Sequence, residues 1–590
     1  MDHAAADAPG DRLTRFEVRD GMRIVWDAPI PMDDGIVLRA DVFLPAAEGR
    51  YPVLMSHGPY AKGLAFQDGY PSAWRSLVAA HPDVAAGSTN AYQCWETVDP
   101  EKWTSHGYAC VRVDSRGAGR SPGHMEVFSP RETRDYFACI EWAGTRPWSS
   151  GKVGLVGISY YAANQWQVAA LQPPHLVAMC PWEGFADFYR DASHHGGIFM
   201  NFWDQWQDNQ IAKVQHGIGE RGHRSRVHGD LVAGPDTLSE AELRKNRTSP
   251  GTTFRAPLDG EVYRTRTPDW ARIKTPFLSA ASWGGQGLHP RGNFEGFTNA
   301  AAEQKWLEVH GLEHWTHFMT DYGRLLQKRF FDHFLKGEDN GWDREPRVIL
   351  NVRRPDERFE LRHEHEWPLA RTVWTRLHLN AARLSLGAAP PGEDAQVSYQ
   401  ASGEGVTFRL PALAGETEIC GPMALKLFVS SETADADLFV VVRVFRPDGR
   451  EMVFNGTTDP HTPFAQGWLR LSHRKLDPDK SLPYRPFHSH DERQPLTPGM
   501  VYEADVEIWP SGLVVPPGYQ IVVTVQGRDY EWPDGPGIRL SNFTYELRGC
   551  GPFLHDDPDD RRPEVFGGKV TIHTGPERGS CLLLPVIPSG

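Results

Sequence analysis

Residues 151–171 have the sequence GKVGLVGISYYAANQWQVAAL, and this stretch decides the fold. The apolar run VGLVGI at 153–158 is typical of a buried strand, and the segment that follows Ser159 is typical of a helix. A strand that turns sharply into a helix at the serine of a G-x-S string predicts a nucleophile elbow, which lifts the hydroxyl above the sheet. Ser159 is therefore the candidate nucleophile, although Tyr161 stands where the motif usually has a second glycine.

Short apolar runs on both sides of this stretch predict further buried strands. They are PVLMS (52–56), YACVRVD (108–114), LVAMC (176–180), PFLSAA (276–281) and WLEVH (306–310). Between two of them, residues 129–144 predict a helix that is capped by Ser129. Alternating strands and helices predict an α/β domain with a mostly parallel sheet, whose ligands bind at the carboxyl ends of the strands.

The sequence pattern divides the chain into three parts. Residues 1–180 and 271–345 carry the strand and helix alternation and form the predicted catalytic domain. Residues 181–270 are rich in Trp, His, Gly and Arg, and we predict an inserted, largely helical cap there. From residue 346 to residue 590 strands alternate with turns and no helix intervenes, which predicts a C-terminal β-sandwich or jelly roll.

Composition excludes several classes of function. The 590 residues carry a formal net charge of -14, so nucleic acid and anionic membranes would repel the chain, and a small-molecule partner is expected. The seven cysteines are scattered, and neither His363-x-His365 nor His488-x-His490 has a partner pair at a zinc spacing. We expect no metal and no cofactor, and leave a homo-oligomer open. Residues 1–16 lack an export signal pattern, which favours a cytoplasmic protein.

GKVGLVGISYYAANQW resembles the G-x-S-Y elbow of the cocaine esterase and X-Pro dipeptidyl peptidase-like (CocE/NonD) acyl hydrolases. Other segments match the same family in the same order along the chain. They are MDDGIVLRADVFLP (32–45), HGPY (57–60), DSRGAGRSPG (114–123), IEWAGTRPWSSGKVG (140–154), FFDHFLKG (330–337), GWLRLSHR (467–474) and LLLPVIP (582–588). The resemblance implies an α/β-hydrolase fold and a serine esterase that cleaves a carboxylic ester or amide through an acyl-enzyme on Ser159.

WLEVHGLEHWTHFM at 306–319 offers three candidates for the general base, His310, His314 and His317. The resemblance assigns the role to His314, in a loop that follows the last core strand, as the chain order Ser, acid, His of this fold requires. Two donors are expected to stabilise the oxyanion. One is the backbone N–H of Tyr160, and the other, by resemblance, is the hydroxyl of Tyr60.

The acid of the triad is missing from its usual place. The family carries Asp after the preceding strand, in a string that resembles S-W-x-D, but this chain has SWGGQG with Gly285 at that position. We predict that Glu295, the nearest carboxylate downstream, orients His314. Glu313 ranks lower because adjacent side chains usually diverge.

Two alternative functions remain open at the level of the sequence. An X-Pro dipeptidyl peptidase or α-amino-acid ester hydrolase needs an anionic pocket for the substrate ammonium, which Glu183, Asp187 or Asp191 could provide. A non-catalytic carbohydrate-binding protein would instead use aromatic platforms on the C-terminal domain, with Trp468, Tyr530 and Trp532 as candidates.

Overall fold

The computed structural model describes residues 13–588, so the prediction about an export signal rests mainly on residues outside it. The strands of the first part of the chain form one large sheet and a short hairpin. They are β1 (Arg15–Arg19), β2 (Met22–Pro31), β3 (Val37–Pro45), β4 (Tyr51–Gly58), β5 (Ala109–Asp114), β6 (Ser149–Ile158), β7 (Leu176–Trp182), β8 (His194–His195), β9 (Ile198–Phe199), β10 (Phe277–Ser282), β11 (Lys305–His310), β12 (Val348–Arg354) and β13 (Arg358–Glu364).

The helices of this part connect the strands or lie in the inserted segment. They are α1 (Phe66–Gly69), α2 (Pro71–Ala80), α3 (Pro100–Thr104), α4 (Pro130–Gly144), α5 (Tyr160–Ala169), α6 (Phe202–Trp206), α7 (Glu240–Lys245), α8 (Pro250–Thr253), α9 (Glu261–Arg264), α10 (Pro290–Asn299), α11 (Thr316–Met319) and α12 (Asp321–Phe331). The predicted helix at 129–144 is α4, whose first turn is capped as expected because the Ser129 side chain accepts a hydrogen bond from the N–H of Glu132. No helix among residues 13–588 is long and apolar enough to cross a membrane.

The first sheet has the strand order β1-β2-β3-β5-β4-β6-β7-β10-β11-β12-β13. Its centre, from β5 to β12, is parallel, whereas the strands at both edges are antiparallel. Every strand predicted from an apolar run lies in this centre, where both faces are covered and alternation of polar and apolar residues disappears. The carboxyl ends of β6, β7, β10 and β11 therefore meet at one edge of the sheet.

Two features depart from the predicted domain limits. The first sheet continues past residue 346, because β12 pairs in parallel with β11 and β13 pairs with β12. The change from one sheet to the other therefore falls between Glu364 and Val373. Residues 181–270 are also less helical than predicted. Their α-helices have only four to six residues each, although α6 continues as a π-helix and a 3-10 turn to Val214, and buried aromatic rings pack the segment.

In the rest of the described chain nearly all regular elements are strands, and long irregular segments connect them. Its elements are β14 (Val373–Asn380), β15 (Ser385–Gly387), β16 (Ala395–Gln400), β17 (Val406–Arg409), β18 (Thr417–Ser431), β19 (Asp437–Phe445), β20 (Glu451–Met452), β21 (Ala465–Arg470), β22 (Tyr502–Val515), β23 (Gln520–Gln526), β24 (Lys569–Thr574) and β25 (Cys581–Ile587), with one short helix, α13 (Pro563–Phe566). The path of paired strands closes on itself because β25 contacts both β14 and β18. A separate apolar core fills this barrel-like sheet.

Candidate active site

Ser159 lies between the end of β6 at Ile158 and the start of α5 at Tyr160, as the elbow predicts. Its backbone has φ 56° and ψ -108°, a combination that costs free energy in a non-glycine residue and is typical of functional turns. The large Tyr161 fits because the opposing residue is Gly58. A Cβ atom at Gly58 would lie 2.6 Å from a carbon of the Tyr161 ring.

His289 is the imidazole that contacts the candidate nucleophile. Its Nε2 lies 3.0 Å from Ser159 Oγ, and its ring is buried just before α10, in the loop that follows β10. Burial, helped by the nearby His314, holds the pKa of His289 well below 6.5, so the ring is neutral near pH 7. A neutral imidazole can accept the proton of a serine hydroxyl through Nε2.

His314 lies in the same pocket but both of its nitrogens have other partners. Nε2 is 2.9 Å from Oε1 of Glu96, and Nδ1 donates to the backbone carbonyl of Thr457 at 3.1 Å. The rings of His314 and His289 lie 5.6 Å apart. The predicted pairing of Ser159 with His314 is thus replaced by a contact between Ser159 and His289. In the sequence, this arrangement was indicated only by the presence of His289 in the loop where the family carries its acid.

The pair of His314 and Glu96 shares a proton in a dry environment. Burial raises the pKa of Glu96, and the contact with His314 opposes that shift. Burial alone would lower the pKa of His314, but Glu96 outweighs it and the net shift is upward. Because the Thr457 carbonyl can only accept, Nδ1 of His314 is protonated. The other ring nitrogen, Nε2, faces Glu96 and not Ser159.

Glu295 does not orient any histidine of the pocket, which corrects the predicted acid. It lies on α10, where its carboxylate accepts a hydrogen bond from Asn299 Nδ2 at 2.9 Å and pairs with Arg485. The helix directs this side chain toward the C-terminal domain. Glu313 is also engaged elsewhere, since its Oε2 accepts a hydrogen bond from Thr316 Oγ1 at 3.0 Å.

A different carboxylate, that of Glu183, lies next to the site. Glu183 follows β7 directly and is fully buried, and its Oε1 is 2.9 Å from Nε2 of His310. His310 also contacts Glu308, with Nδ1 2.7 Å from Oε2. Burial by itself would lower the pKa of His310, but the two carboxylates outweigh it and raise that pKa to about 9. His310 is therefore cationic at neutral pH.

Both predicted oxyanion donors border the pocket. Tyr160 is the first residue of α5, so its N–H has no acceptor within the helix and is available to a ligand. The Tyr60 hydroxyl accepts a hydrogen bond from Trp206 Nε1 at 3.0 Å, and its own proton remains free to be donated. Burial first, and then Glu96, raises the pKa of Tyr60 well above 10, which keeps the phenol protonated.

Ten of the twenty residues that line the pocket above Ser159 carry a Phe, Tyr or Trp ring. The inserted segment and the C-terminal domain both contribute. The aromatic rings are those of Tyr60, Trp95, Phe128, Tyr160, Phe185, Phe202, Trp203, Trp206, Phe543 and Phe553. Thr457, Asn542 and Pro552 add further surface from the C-terminal domain, which the sequence pattern did not connect with the site.

The acids proposed for an ammonium pocket have other partners. Asp187 pairs with Arg190 at 2.9 Å, and Asp191 pairs with Arg291 at 2.8 Å. Neither of these aspartates borders the pocket above Ser159, and Glu183 contacts His310 instead.

The aromatic residues considered as sugar platforms are not exposed as a flat surface. Trp468 and Tyr530 are buried, and Trp532 stacks on His461 with ring centres 3.7 Å apart. These contacts place the three rings in the packing of the C-terminal domain.

Comparisons with known proteins agree with this architecture. Residues 34–319 match the X-Pro dipeptidyl-peptidase (S15 family) model, and residues 340–582 match the X-Pro dipeptidyl-peptidase C-terminal non-catalytic domain. The cocaine esterase of Rhodococcus sp. (strain MB1 Bresler) is 24% identical over 643 residues, which cover 95% of this chain and 97% of the esterase.

Solved structures share the architecture, and one of them does so at higher identity. A CocE/NonD family hydrolase from Staphylococcus aureus is 32% identical, covers 97% of both chains and has a TM-score of 0.80. An α-amino acid ester hydrolase, 17% identical, shares the fold with a TM-score of 0.64 over 98% of this chain and 99% of its own. From the first of these relatives and the two domain matches, the chain belongs to the CocE/NonD family and is a serine hydrolase that acts on esters or amides.

Proposed function

We propose that the chain is a carboxylesterase that forms an acyl-enzyme on Ser159, with His289 as the general base. The observation that carries this proposal is the distance of 3.0 Å between Ser159 Oγ and His289 Nε2 in an aromatic pocket. The strand order of the first sheet supports an α/β-hydrolase domain that extends to Glu364. The closed strand path of the remaining chain supports a jelly-roll domain.

The proposed reaction follows from the positions of these groups. As Ser159 Oγ attacks the ester carbonyl, its proton passes to His289 Nε2, and the carbonyl oxygen becomes an oxyanion. The N–H of Tyr160 and the hydroxyl of Tyr60 donate hydrogen bonds to that oxyanion. His289 then gives the proton to the leaving alcohol, and a water repeats the sequence to release the acid.

The pocket wall favours a neutral, apolar acyl group. Among the described residues that line it, Glu96 alone is acidic, and the contact with His314 already engages that carboxylate. An α-ammonium group would have to be desolvated among aromatic rings without a free anionic partner. We therefore expect apolar p-nitrophenyl esters to be cleaved faster than their α-amino counterparts. A preference for the α-amino esters would favour the amino-acid ester hydrolase alternative.

Three variants test the nucleophile and the base. Ser159→Ala should abolish labelling by a fluorophosphonate and nearly all turnover, while leaving the fold unchanged. His289→Asn should lower kcat by about 10⁴-fold or more, because no other base in the described part of the chain contacts Ser159. His314→Asn is the matched control in the same pocket, and its effect should be at least tenfold smaller. The opposite order of the two histidine variants would return the base to His314.

A further inference from the structure

We infer that Glu183, rather than a residue of the loop at Gly285, is the carboxylate that positions the catalytic histidine and stabilises its protonated form. This inference rests on the proposed function, in which His289 is the base. Glu183 would act through His289 without touching the substrate, so it is a positioning residue. The sequence pointed to Glu183 only as one of three candidates for an ammonium pocket, and no motif gave it a role toward a histidine.

The first argument is spatial. The family resemblance puts the acid at position 285, where this chain has glycine. A Cβ atom built on Gly285 would lie 3.5 Å from Oε2 of Glu183 and 3.0 Å from Cδ of Pro290. The Glu183 carboxylate therefore lies beside position 285, where the family carries its acid. It reaches this place from the end of β7, the strand next to β10.

The second argument is the contact with His289. Oε2 of Glu183 lies 3.9 Å from Nδ1 of His289, whose other polar neighbour is Thr457 Oγ1 at 3.5 Å, and Oε2 has no hydrogen-bond partner among residues 13–588. Both side chains are at least 98% buried. A closure of about 1 Å would give a hydrogen bond, and such catalytic bonds are often long before the substrate binds. The unpartnered oxygen is thus directed at the nitrogen that a triad acid would hold.

The third argument concerns charge. When His289 takes the proton of Ser159 it becomes a buried cation, which is costly without a nearby anion. The group of Glu308, His310 and Glu183 carries two carboxylates and one imidazolium, so its net charge is negative. That charge is fixed beside His289 before the reaction and stabilises the imidazolium only when it forms.

The backbone of Glu183 is held in a strained conformation. Its φ is 49°, in the left-handed region, and its N–H donates to the carbonyl of Ala280 at 2.7 Å. A non-glycine residue keeps this conformation only when its surroundings enforce it, and such positions concentrate at functional sites. The carboxylate position is therefore fixed by both the main chain and His310.

Glu183→Gln tests the inference, because the amide keeps the volume but removes the charge. We expect kcat to fall by about 100-fold or more with KM within about twofold, as when a triad carboxylate is neutralised. Without the anion the protonated form of His289 is less stable, so the acid limb of the pH–rate profile should move to lower pH. A purely structural role would leave that limb in place.

If Glu183→Gln prevents folding, a second variant is available. Glu183→Asp retains the charge but withdraws it from His289, and its kcat should still fall.

The double variant Glu183→Gln/Gly285→Asp provides a rescue, since it returns a carboxylate to the position where the family carries one. We expect it to recover at least tenfold of the lost kcat. Normal kcat in Glu183→Gln, or a loss without recovery and without a shifted acid limb, would overturn the role of Glu183. Neither result touches the proposed function, which is tested separately by the variants of Ser159, His289 and His314.

Discussion

The hydroxyl of Tyr60 accepts a hydrogen bond from the protein and can donate one into the pocket. The indole N–H of Trp206 is a donor only, so the Tyr60 oxygen accepts and its proton is free for the oxyanion. Tyr60→Phe keeps the ring and deletes this donor. We expect kcat for a p-nitrophenyl ester to fall by about 100-fold or more while KM changes little.

Tyr70→Phe is the matched control for that measurement. The Tyr70 hydroxyl is also buried, but it hydrogen-bonds Gln210 at 3.1 Å and the residue does not line the pocket. Its removal should leave kcat near the wild-type value. If Tyr60→Phe raises KM and leaves kcat unchanged, Tyr60 binds the substrate and the second oxyanion donor lies elsewhere.

At the scale of elements, local sequence patterns were enough to predict the core strands but not to identify the general base and the acid. β6, the turn at Ser159 and α5 are specified by neighbours in sequence, so the elbow was predicted from one short stretch. His289 and His314 both follow core strands, and only the course of each loop decides which ring contacts Ser159. Glu183 is harder to find, because its role depends on the pairing of β7 with β10.

The loop between β10 and α10 must approach the C-terminal domain closely to bring His289 over Ser159. A Cβ atom at Gly284 would lie 1.9 Å from the carbonyl oxygen of Asn455, a backbone atom that cannot rotate away. Gly284→Ala should therefore displace the loop. We expect a fall in kcat of about 100-fold, because a shift of about 1 Å in a reacting group has that effect.

Gly285→Ala is the neighbouring control. The added methyl would lie 3.5 Å from Oε2 of Glu183 and from the carbonyl oxygen of Ser282, which are ordinary contacts, and 3.0 Å from Cδ of Pro290, which has to move by only a few tenths of an ångström. Its kcat should stay within about tenfold of wild type in the same ester assay. Equal activity of the two alanine variants would show that the contact between the loop and Asn455 does not hold His289.

At the scale of the whole molecule, the site is shared between the two sheets. Thr457 accepts a hydrogen bond from His314, and Phe543 and Phe553 line the pocket from the same C-terminal domain. Buried contacts also join the domains, such as the bond from Gln286 Nε2 to the carbonyl of Pro510 at 3.0 Å. The C-terminal domain therefore completes the pocket, although the family description of that region is non-catalytic.

A cluster of buried histidines lies between the inserted segment and the C-terminal domain. His195 Nδ1 is 2.8 Å from His555 Nε2, and His473 Nδ1 is 3.0 Å from His490 Nδ1. Each short contact between two imidazoles requires at least one neutral ring. Burial is the main cause that lowers the pKa of His473 to about 3, with a further contribution from the Arg470 guanidinium.

This cluster predicts that the folded chain loses stability in acid. A histidine with a folded pKa of about 3 stays neutral where the unfolded chain, with a pKa near 6.5, already binds a proton. The unfolded state therefore gains protons below pH 6.5, and stability falls as the pH decreases from 6.5 toward 3, whereas above 6.5 these groups have no effect. We expect the thermal midpoint to fall by roughly 2 °C or more per pH unit below 6.5.

His473→Gln, which cannot take up a proton, should make that fall shallower, and His365→Gln, at an exposed position, should not. The comparison is between slopes from pH 6.5 to pH 4.5, measured by scanning fluorimetry, so a constant loss of stability in either variant does not affect it. Equal slopes for wild type and His473→Gln would mean that the acid sensitivity arises elsewhere, for example from the carboxylates that pair with arginines.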